Sequence, residues 1–222
     1  MVAIFVWRAG HPPFFKEGVI TVKKLGSVFI VIGVFLLLFI VFTKVKTFYE
    51  QKKLVEEYTS LSFTEQSSNE SEKPIKEGQV IGILKIPKIS LETPIKEGAR
   101  PKDIKYAVGH LSYSSSIYNL GKKNQNFVIA GHRSHTYGKF FNRLDELKKG
   151  DHIIIYAQNK VFTYKVFNKK IVKPTEIDVV YPIKNKSMVT LVTCHPLYSN
   201  KQRLIVFTEL EKEKIMDGRD KF

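Results

Sequence analysis

A single thiol is the most reactive side chain in the sequence. Cys194 is the one cysteine among 222 residues, and it ends the run MVTLVTC, whose apolar and β-branched residues predict a strand. A thiol at the point where a strand passes into a loop is accessible enough to act as a nucleophile. The alternative is a small buried side chain, which is the commoner fate of a lone cysteine. Because the thiolate is the reactive form, catalysis needs a histidine or a cation beside Cys194.

Among the six histidines, His132 is the best placed to be that partner. It follows the strand-like run NFVIAG, whose final glycine favours the display of an imidazole. His110 in AVGHLS and His135 in HRSH are further candidates, whereas His195 adjoins Cys194 and points to the opposite face of an extended chain. The HxxH of His132 and His135 has no HExxH frame and no carboxylate nearby, so no metal site is predicted.

Arg203 is the candidate for stabilising negative charge beside the thiol. It lies nine residues after Cys194, within CHPLYSNKQRLIVF. If LVTC and RLIVF are adjacent antiparallel strands, the guanidinium stands beside the sulfur, where it stabilises a thiolate and an oxyanion. An arginine that faces water on an edge strand is the alternative.

These groups need a rigid frame, and the sequence predicts strands around them. The first run, IGILKIPKI, begins at Ile81, and the runs that follow are NFVIAGH, DHIIIYAQ, KVFTYKVFNKKIV, MVTLVTC and QRLIVFTEL. Turn-forming and charged residues separate them. Many short strands over about 130 residues indicate a barrel or a sandwich. A short helix is predicted in FFNRLDELKKG, where apolar residues recur at helical spacing and Gly150 ends the pattern.

An uncharged apolar run precedes the strands. Leu25–Phe42 has 18 residues and spans roughly 27 Å as a helix, which with its flanks is enough for a bilayer core. A cleaved signal peptide has a shorter apolar region and a small-residue cleavage site, whereas TKVKTFYE follows here. The run therefore predicts one uncleaved membrane anchor. Basic residues before it favour a cytoplasmic N-terminus and an extracellular C-terminal domain.

These patterns divide the chain into five predicted parts. They are a cytoplasmic N-terminus (1–24), a transmembrane anchor (25–43), a stalk and linker (44–80), a β-rich catalytic domain (81–211) and a polar tail (212–222). The stalk sequence FYEQKKLVEEYTSLSF is able to extend the anchor helix, and TEQSSNESEKPIKEG has the composition of a linker.

The charge of the chain restricts its partners. The formal net charge is +15, but only six of the 36 basic residues are arginine, and the lysines are spread along the whole chain. Proteins that read base edges rely on bidentate arginine, so we expect no nucleic-acid partner. Attraction to anionic lipid or cell-wall polymer fits the lysines better. A lone cysteine excludes a disulfide framework.

Four segments together resemble the sortase family. TLVTC followed by an arginine nine residues later in RLIV resembles the sortase signature TLxTC…R. VIAGHR resembles the histidine segment of that family, AVGH resembles its upstream GVGH, and IGILKIPKI is similar to its first barrel strand. The resemblance covers about residues 80–210 in the family's order, and an N-terminal membrane anchor fits it.

The resemblance implies a mainly β fold, a closed eight-stranded barrel with short helices, outside a Gram-positive membrane. It also implies a cysteine transpeptidase that cleaves an LPxTG-like sorting signal after its threonine and forms a thioester. The acyl group then passes to an amine, such as that of a peptidoglycan precursor. No cofactor and no metal are expected.

Matching the motifs residue by residue implies a role for each position. Cys194 is the nucleophile, His132 the general acid and base, and Arg203 the stabiliser of the oxyanion and of the substrate. Thr193, His110 and Asn200 match positions near the substrate.

Other readings remain open on the sequence. The absence of a DPW or DPF lid before Ile81, and of a second apolar span after Leu210, argues against the pilus-polymerising sortases. A purely hydrolytic thiol peptidase would share the same groups. A catalytically inert, basic, membrane-anchored domain that binds anionic wall polymer would share only the anchor and the charge.

Overall fold

The computed structural model describes residues 16–64, 74–133 and 140–217. The chain divides into two compact units, Met1–Thr47 and Phe48–Phe222. The division falls within α1, Lys16–Thr64, which is the one α-helix among the described residues. The predicted linker lies mostly outside the described residues.

The first unit contains the apolar part of α1. From Leu25 to Phe42 the large apolar side chains are 49–68% exposed within the part of the chain that the structure describes. The helix is long and apolar enough to cross a membrane. The predicted anchor is therefore helical over its whole length and presents apolar side chains that lipid would cover.

The second unit contains a closed barrel of eight strands in the order β1–β2–β3–β4–β7–β8–β6–β5. The strands are β1 Val80–Ile86, β2 Leu91–Glu97, β3 Val108–His110, β4 Gln125–Ala130, β5 His152–Ala157, β6 Lys160–Val172, β7 Ser187–His195 and β8 Gln202–Ile215. The neighbours β2/β3 and β4/β7 are parallel, and the other pairs are antiparallel. The predicted closed eight-stranded barrel is confirmed.

Alternating side chains fill the barrel and leave a second apolar cluster outside it. Along β7, Val189 and Leu191 belong to the large interior core. The side chains between them point the other way, because successive residues of a strand face opposite sides. An outer apolar cluster forms on that second face, and it consists of Val172, Val179, Val180, Val192, Ile205 and Phe207.

The last turns of α1 pack on the outside of the barrel. Leu54, Val55 and Tyr58, spaced as one face of a helix, join an apolar cluster with residues of β1, β5 and β6. Tyr58 is 8% exposed, so this contact excludes water. The stalk sequence is therefore helical as far as Thr64, and part of it is fixed to the barrel.

Two elements differ from the sequence prediction. The helix expected in FFNRLDELKKG is reduced to a single 3₁₀ turn, Leu144–Glu146. Phe141, Leu144 and Leu147 are fully buried, because a turn leading into β5 delivers all three to the core without a longer helix. β8 continues through Ile215, beyond the predicted start of the polar tail at 212. Its end pairs with the start of β6, where Lys160 and Glu213 form an ion pair at 2.7 Å.

Candidate active site

Strand register brings three of the predicted site residues to one end of the barrel. Cys194 pairs directly with Arg203 across β7 and β8. On the other side of β7, Ala130 of β4 pairs with Val192. β4 ends at Ala130, and His132 follows two residues later at the same end of the barrel. Because neighbouring strands lie about 4.8 Å apart, Cys194 and Arg203 occupy adjacent positions, and His132 lies in the segment that leaves the strand on the other side of β7.

Cys194 and Arg203 share the outer face of the barrel. Val192 and Ile205, each two positions from Cys194 and Arg203 respectively, belong to the outer apolar cluster. His132 is exposed in the segment that follows β4. The 3₁₀ turn Ile177–Val180 flanks the cluster. The outer apolar cluster, the apolar floor of the site, therefore adjoins the end of the barrel where the thiol, the imidazole and the guanidinium lie; this polar end is the rim of the site.

The three groups differ in exposure. Cys194 is half-buried, His132 is exposed and Arg203 is half-buried. The Nη1 of Arg203 donates to the carbonyl oxygens of Asn200 at 2.9 Å and Gln202 at 3.0 Å. Asn200 therefore contributes its backbone to the position of the guanidinium, and its side chain is exposed at the loop. Cys194 is thus not the fully buried residue of the alternative interpretation.

Backbone contacts hold the end of β4 against β7. The hydroxyl of Thr193 donates to the Gly131 carbonyl at 2.8 Å, and the Gly131 amide donates to the Val192 carbonyl at 3.1 Å. A Cβ on Gly131 would lie 2.7 Å from a ring carbon of Phe141, so glycine permits this close packing. The amide of Phe141 donates to the His132 carbonyl at 3.1 Å. The Thr193 side chain thus links β7 to the segment that carries His132.

His110 lies elsewhere in the barrel. Its ring is 2% exposed and stacks on Phe127 with centroids 4.3 Å apart. Nδ1 lies 2.8 Å from a carboxylate oxygen of Glu97, and Nε2 lies 3.1 Å from the Ser115 carbonyl and 3.0 Å from the Ser114 hydroxyl. A carboxylate oxygen only accepts, so Nδ1 donates to Glu97. These contacts and the stacking on Phe127 fix the ring of His110 in a structural position.

The Glu97–His110 pair lines a pocket of its own. The pocket has a volume of about 320 Å³, and its lining comes from segments 74–75, 97 and 110–118. Burial opposes ionisation of Glu97, but hydrogen bonds from His110 and Ser112 outweigh it and hold the pKa of Glu97 below its usual range. His110 therefore shares neither the strand pair nor the face of Cys194, and its predicted place beside the substrate has no support in this geometry.

Sequence reasoning overlooked Arg133, which directly follows His132. Its side chain is only 6% exposed and forms an ion pair with Asp145 at 2.8 Å. Nη1 donates to Nδ1 of His195 at 3.0 Å and lies 3.5 Å from the Cys194 carbonyl. The only sequence signal is that this arginine sits beside the candidate imidazole. His135, the other early candidate, lies outside the described residues.

The described residues contain no group of three or more histidine, cysteine, aspartate or glutamate side chains able to hold a metal ion. The chemistry available at the rim is that of a nucleophilic thiol, a proton carrier and a fixed positive charge. Those three groups are the requirements of acyl transfer: attack on a carbonyl, protonation of a leaving amine and stabilisation of an oxyanion.

Comparison with known families identifies the fold and the family. The profile described as Sortase domain matches residues 84–211, which is more than half of the chain. The chain belongs to the sortase family. Sortases are transpeptidases that act on surface proteins carrying sorting signals. The matched range contains all eight strands except the first residues of β1 and the last of β8.

Individual sortases resemble the chain over most of the barrel. Sortase SrtE1 of Streptomyces coelicolor is 28% identical over 211 residues, which covers 88% of this chain and 59% of that protein. Sortase D of Bacillus subtilis is 34% identical over 145 residues, or 65% of this chain and 69% of that protein. The solved structure of a Clostridium perfringens Sortase D5 transpeptidase has a TM-score of 0.60 and 29% identity, and the match covers 73% of this chain and 98% of that one.

Proposed function

We propose that this sortase is a cysteine transpeptidase that cleaves an LPxTG-like sorting signal and transfers the acyl fragment to a cell-wall amine. The observation that carries the proposal is the register of β4, β7 and β8, which pairs Cys194 with Arg203 and brings the segment that follows β4, with His132, to the same end of the barrel. Cys194 and Arg203 come from neighbouring strands of a closed barrel, and His132 comes from the segment after β4. A rigid frame of this kind keeps reacting groups in position without an ordering cost during reaction.

The proposed roles follow from the chemistry of each group. The Cys194 thiolate attacks the carbonyl carbon between threonine and glycine of the signal, and the carbonyl oxygen becomes an oxyanion. The Arg203 guanidinium stabilises that charge. The tetrahedral intermediate collapses as the carbon–nitrogen bond breaks, and His132 gives a proton to the departing amine. The product of this half-reaction is a thioester on Cys194.

The second half-reaction reverses the proton flow. An acceptor amine attacks the thioester carbon, His132 removes the proton from the amine, and the sulfur leaves as a thiolate. A peptide bond forms and the enzyme is regenerated, with no change in oxidation state. If water attacks instead, the protein behaves as a hydrolytic thiol peptidase.

The outer apolar cluster supports a peptide substrate. Val180, Val192 and Phe207 are only partly buried, and they lie on the face that carries Cys194. Apolar side chains of the signal would bury this surface and align the scissile bond with the thiol. Thr193 acts beneath that floor and Asn200 at its rim. His110 is assigned a structural role with Glu97.

The proposed cellular arrangement follows from α1. Leu25–Phe42 spans a Gram-positive cell membrane once, the N-terminus remains in the cytoplasm, and the barrel faces the wall, where surface proteins and peptidoglycan precursors are found. The excess of lysine suits a surface rich in anionic lipid and polymer.

One experiment tests the proposal against both alternatives. The full chain in detergent micelles is incubated with a library of LPxTG-like peptides and triglycine, and products are read by mass spectrometry, with Cys194→Ala as the control. We expect an acyl–Cys194 adduct and a peptide extended by triglycine. Hydrolysed peptide alone, with triglycine present, would assign the protein to the hydrolytic class. No adduct with any peptide would favour an inert wall-binding domain.

A further inference from the structure

A buried arginine connects three parts of the site. Arg133 directly follows His132, in the segment after β4. Its guanidinium contacts the end of β7 at His195 and the 3₁₀ turn Leu144–Glu146 at Asp145. A fully charged side chain that is 6% exposed has lost nearly all its hydration. Such a group remains buried only where hydrogen bonds and an opposite charge offset that loss.

The partners of Arg133 divide between its two terminal nitrogens. Nη2 pairs with Asp145 at 2.8 Å, which supplies the opposite charge. Nη1 donates to Nδ1 of His195 at 3.0 Å and approaches the carbonyl oxygen of Cys194 at 3.5 Å. The rigid guanidinium fork fixes the angle between these directions, which a lysine ammonium does not.

This contact has a fixed direction. Guanidinium only donates hydrogen bonds, so Nδ1 of His195 accepts the one from Nη1 of Arg133. The contact therefore needs a lone pair at position 195.

We propose that Arg133 is a positioning residue for the thiol, acting through His195. It clamps the residue on the C-terminal side of Cys194, and the peptide group of Cys194 itself, to the segment that follows β4 and carries His132. The clamp sets the distance between the Cys194 thiol and the His132 imidazole. The inference rests on the proposed function, in which these two groups carry out the chemistry. In this proposal Arg133 does not touch the substrate. It needs a hydrogen-bond acceptor at position 195, and the acceptor atom does not have to belong to an imidazole.

A purely structural ion pair is the alternative, and the chain offers a matched control. Arg143 lies in the same segment, is 17% exposed and pairs with Glu146 at 2.6 Å, and it also donates to the Ile89 carbonyl at 3.2 Å. It belongs to the same local turn as Asp145. Loss of either arginine should affect stability, but only Arg133 should affect the reacting groups.

The test compares Arg133→Lys, His195→Gln, His195→Ala and Arg143→Lys in the full chain. Glutamine presents an acceptor oxygen where Nδ1 lies, whereas alanine presents none. We expect Arg133→Lys and His195→Ala to lower kcat by roughly 10- to 100-fold with KM nearly unchanged, because a small misplacement of reacting groups has effects of this size. His195→Gln should retain most of kcat, and Arg143→Lys should leave it unchanged. Melting temperatures verify folding.

A second measurement is independent of any peptide substrate. Because Cys194 is the one cysteine in the chain, iodoacetamide alkylation reports on this thiol alone. We expect several-fold slower alkylation in Arg133→Lys and His195→Ala, and the wild-type rate in His195→Gln and Arg143→Lys. Wild-type rates in all four folded variants would overturn the clamp, and so would an equal loss in His195→Gln and His195→Ala. Absence of peptide turnover in the wild type would count against the proposed function, while the alkylation rates would still decide on the clamp.

Discussion

The candidate site combines a thiol with an imidazole and a guanidinium. Cys194 is half-buried near the end of β7, with Arg203 opposite it on β8 and His132 in the segment that follows β4. A cationic neighbour favours a thiolate, and the thiolate is the nucleophile. None of the three side chains belongs to the interior core, so each is replaceable with little loss of packing.

Removal of the thiol or the imidazole should abolish turnover in a folded protein. Cys194→Ala leaves no nucleophile, and His132→Ala removes the proton donor for the leaving amine, so we expect a loss of at least about 10³-fold in kcat for each. The double variant should be no slower than Cys194→Ala, because the two groups act as a unit. Steady-state kinetics and melting curves check this. Turnover above background in Cys194→Ala would exclude the proposed nucleophile.

Variants of Arg203 distinguish the effect of the guanidinium geometry from the effect of its charge. Its guanidinium donates to two backbone carbonyls, that of Asn200 in the loop and that of Gln202 at the start of β8, which orient it before substrate arrives. Arg203→Ala should lower kcat by about 10²–10³-fold, as for the loss of one oxyanion donor, with a small change in melting temperature. Arg203→Lys should restore part of the rate, since the charge remains and the fork does not. Near-normal kcat/KM in Arg203→Ala would instead identify a solvent-facing arginine.

At the scale of elements, β7 lies between the other two strands that lead to the site. It pairs in parallel with β4 and antiparallel with β8, so the ends of β4 and β7 and the start of β8 meet. β3 has only three residues and pairs on the other side of β4, where it fixes His110 against Glu97. The Glu97–His110 pair therefore supports β3, the neighbour of β4, and His132 follows the end of β4.

The Glu97–His110 pair should make stability depend on pH. The pKa of Glu97 is lowered in the folded protein, so ionised Glu97 stabilises the fold above its unfolded pKa of about 4.3, and this contribution is lost as the pH falls through the lower folded value. We expect Glu97→Gln to be less stable than wild type at neutral pH and the difference to shrink below about pH 4. Melting temperatures across this range provide the measurement, and Glu92→Gln, at a half-exposed position in β2, is the control. A difference that does not change with pH would contradict the role of the pair.

At the scale of the whole molecule, the two units have different solvents. The barrel buries its apolar side chains, whereas Leu25–Phe42 exposes them. Exposed apolar area is unfavourable in water at roughly 25 cal/mol per Å², so transfer of this helix to lipid or detergent is favourable. The net charge of +15 adds attraction to an anionic membrane surface.

The proposed orientation is testable on cells. Protoplasts of a bacterium that expresses the chain are treated with external protease, and fragments are identified by mass spectrometry. We expect peptides from the barrel to be released and the first 24 residues to remain protected, because basic residues flank the cytoplasmic end of the span. Opened protoplasts control for access to both sides. A barrel that resists protease only in intact protoplasts would reverse the topology and contradict the proposed substrate class.

The sequence alone determined the elements with strong local patterns. The uncharged apolar run Leu25–Phe42 predicted a helix. The alternation of apolar and polar residues along β4 to β8 was long enough to predict strands. Motif spacing singled out Cys194, His132 and Arg203, because their types and order are specific. β2 and β3 escaped detection, since β2 contains Pro94 and β3 has three residues, too few for a period.

The tertiary structure alone decided which residues meet. The pairing of β4 with β7 joins residues more than 60 positions apart, and no local pattern encodes it. The same pairing buries Arg133 against Asp145 and His195, although arginine is a residue that sequence reasoning places at the surface. It also sends His110 to a pocket on Glu97 rather than to the thiol. Local sequence fixes the propensity of each strand, but the barrel closes by burying all strands at once, and that shared burial sets every distance in the site.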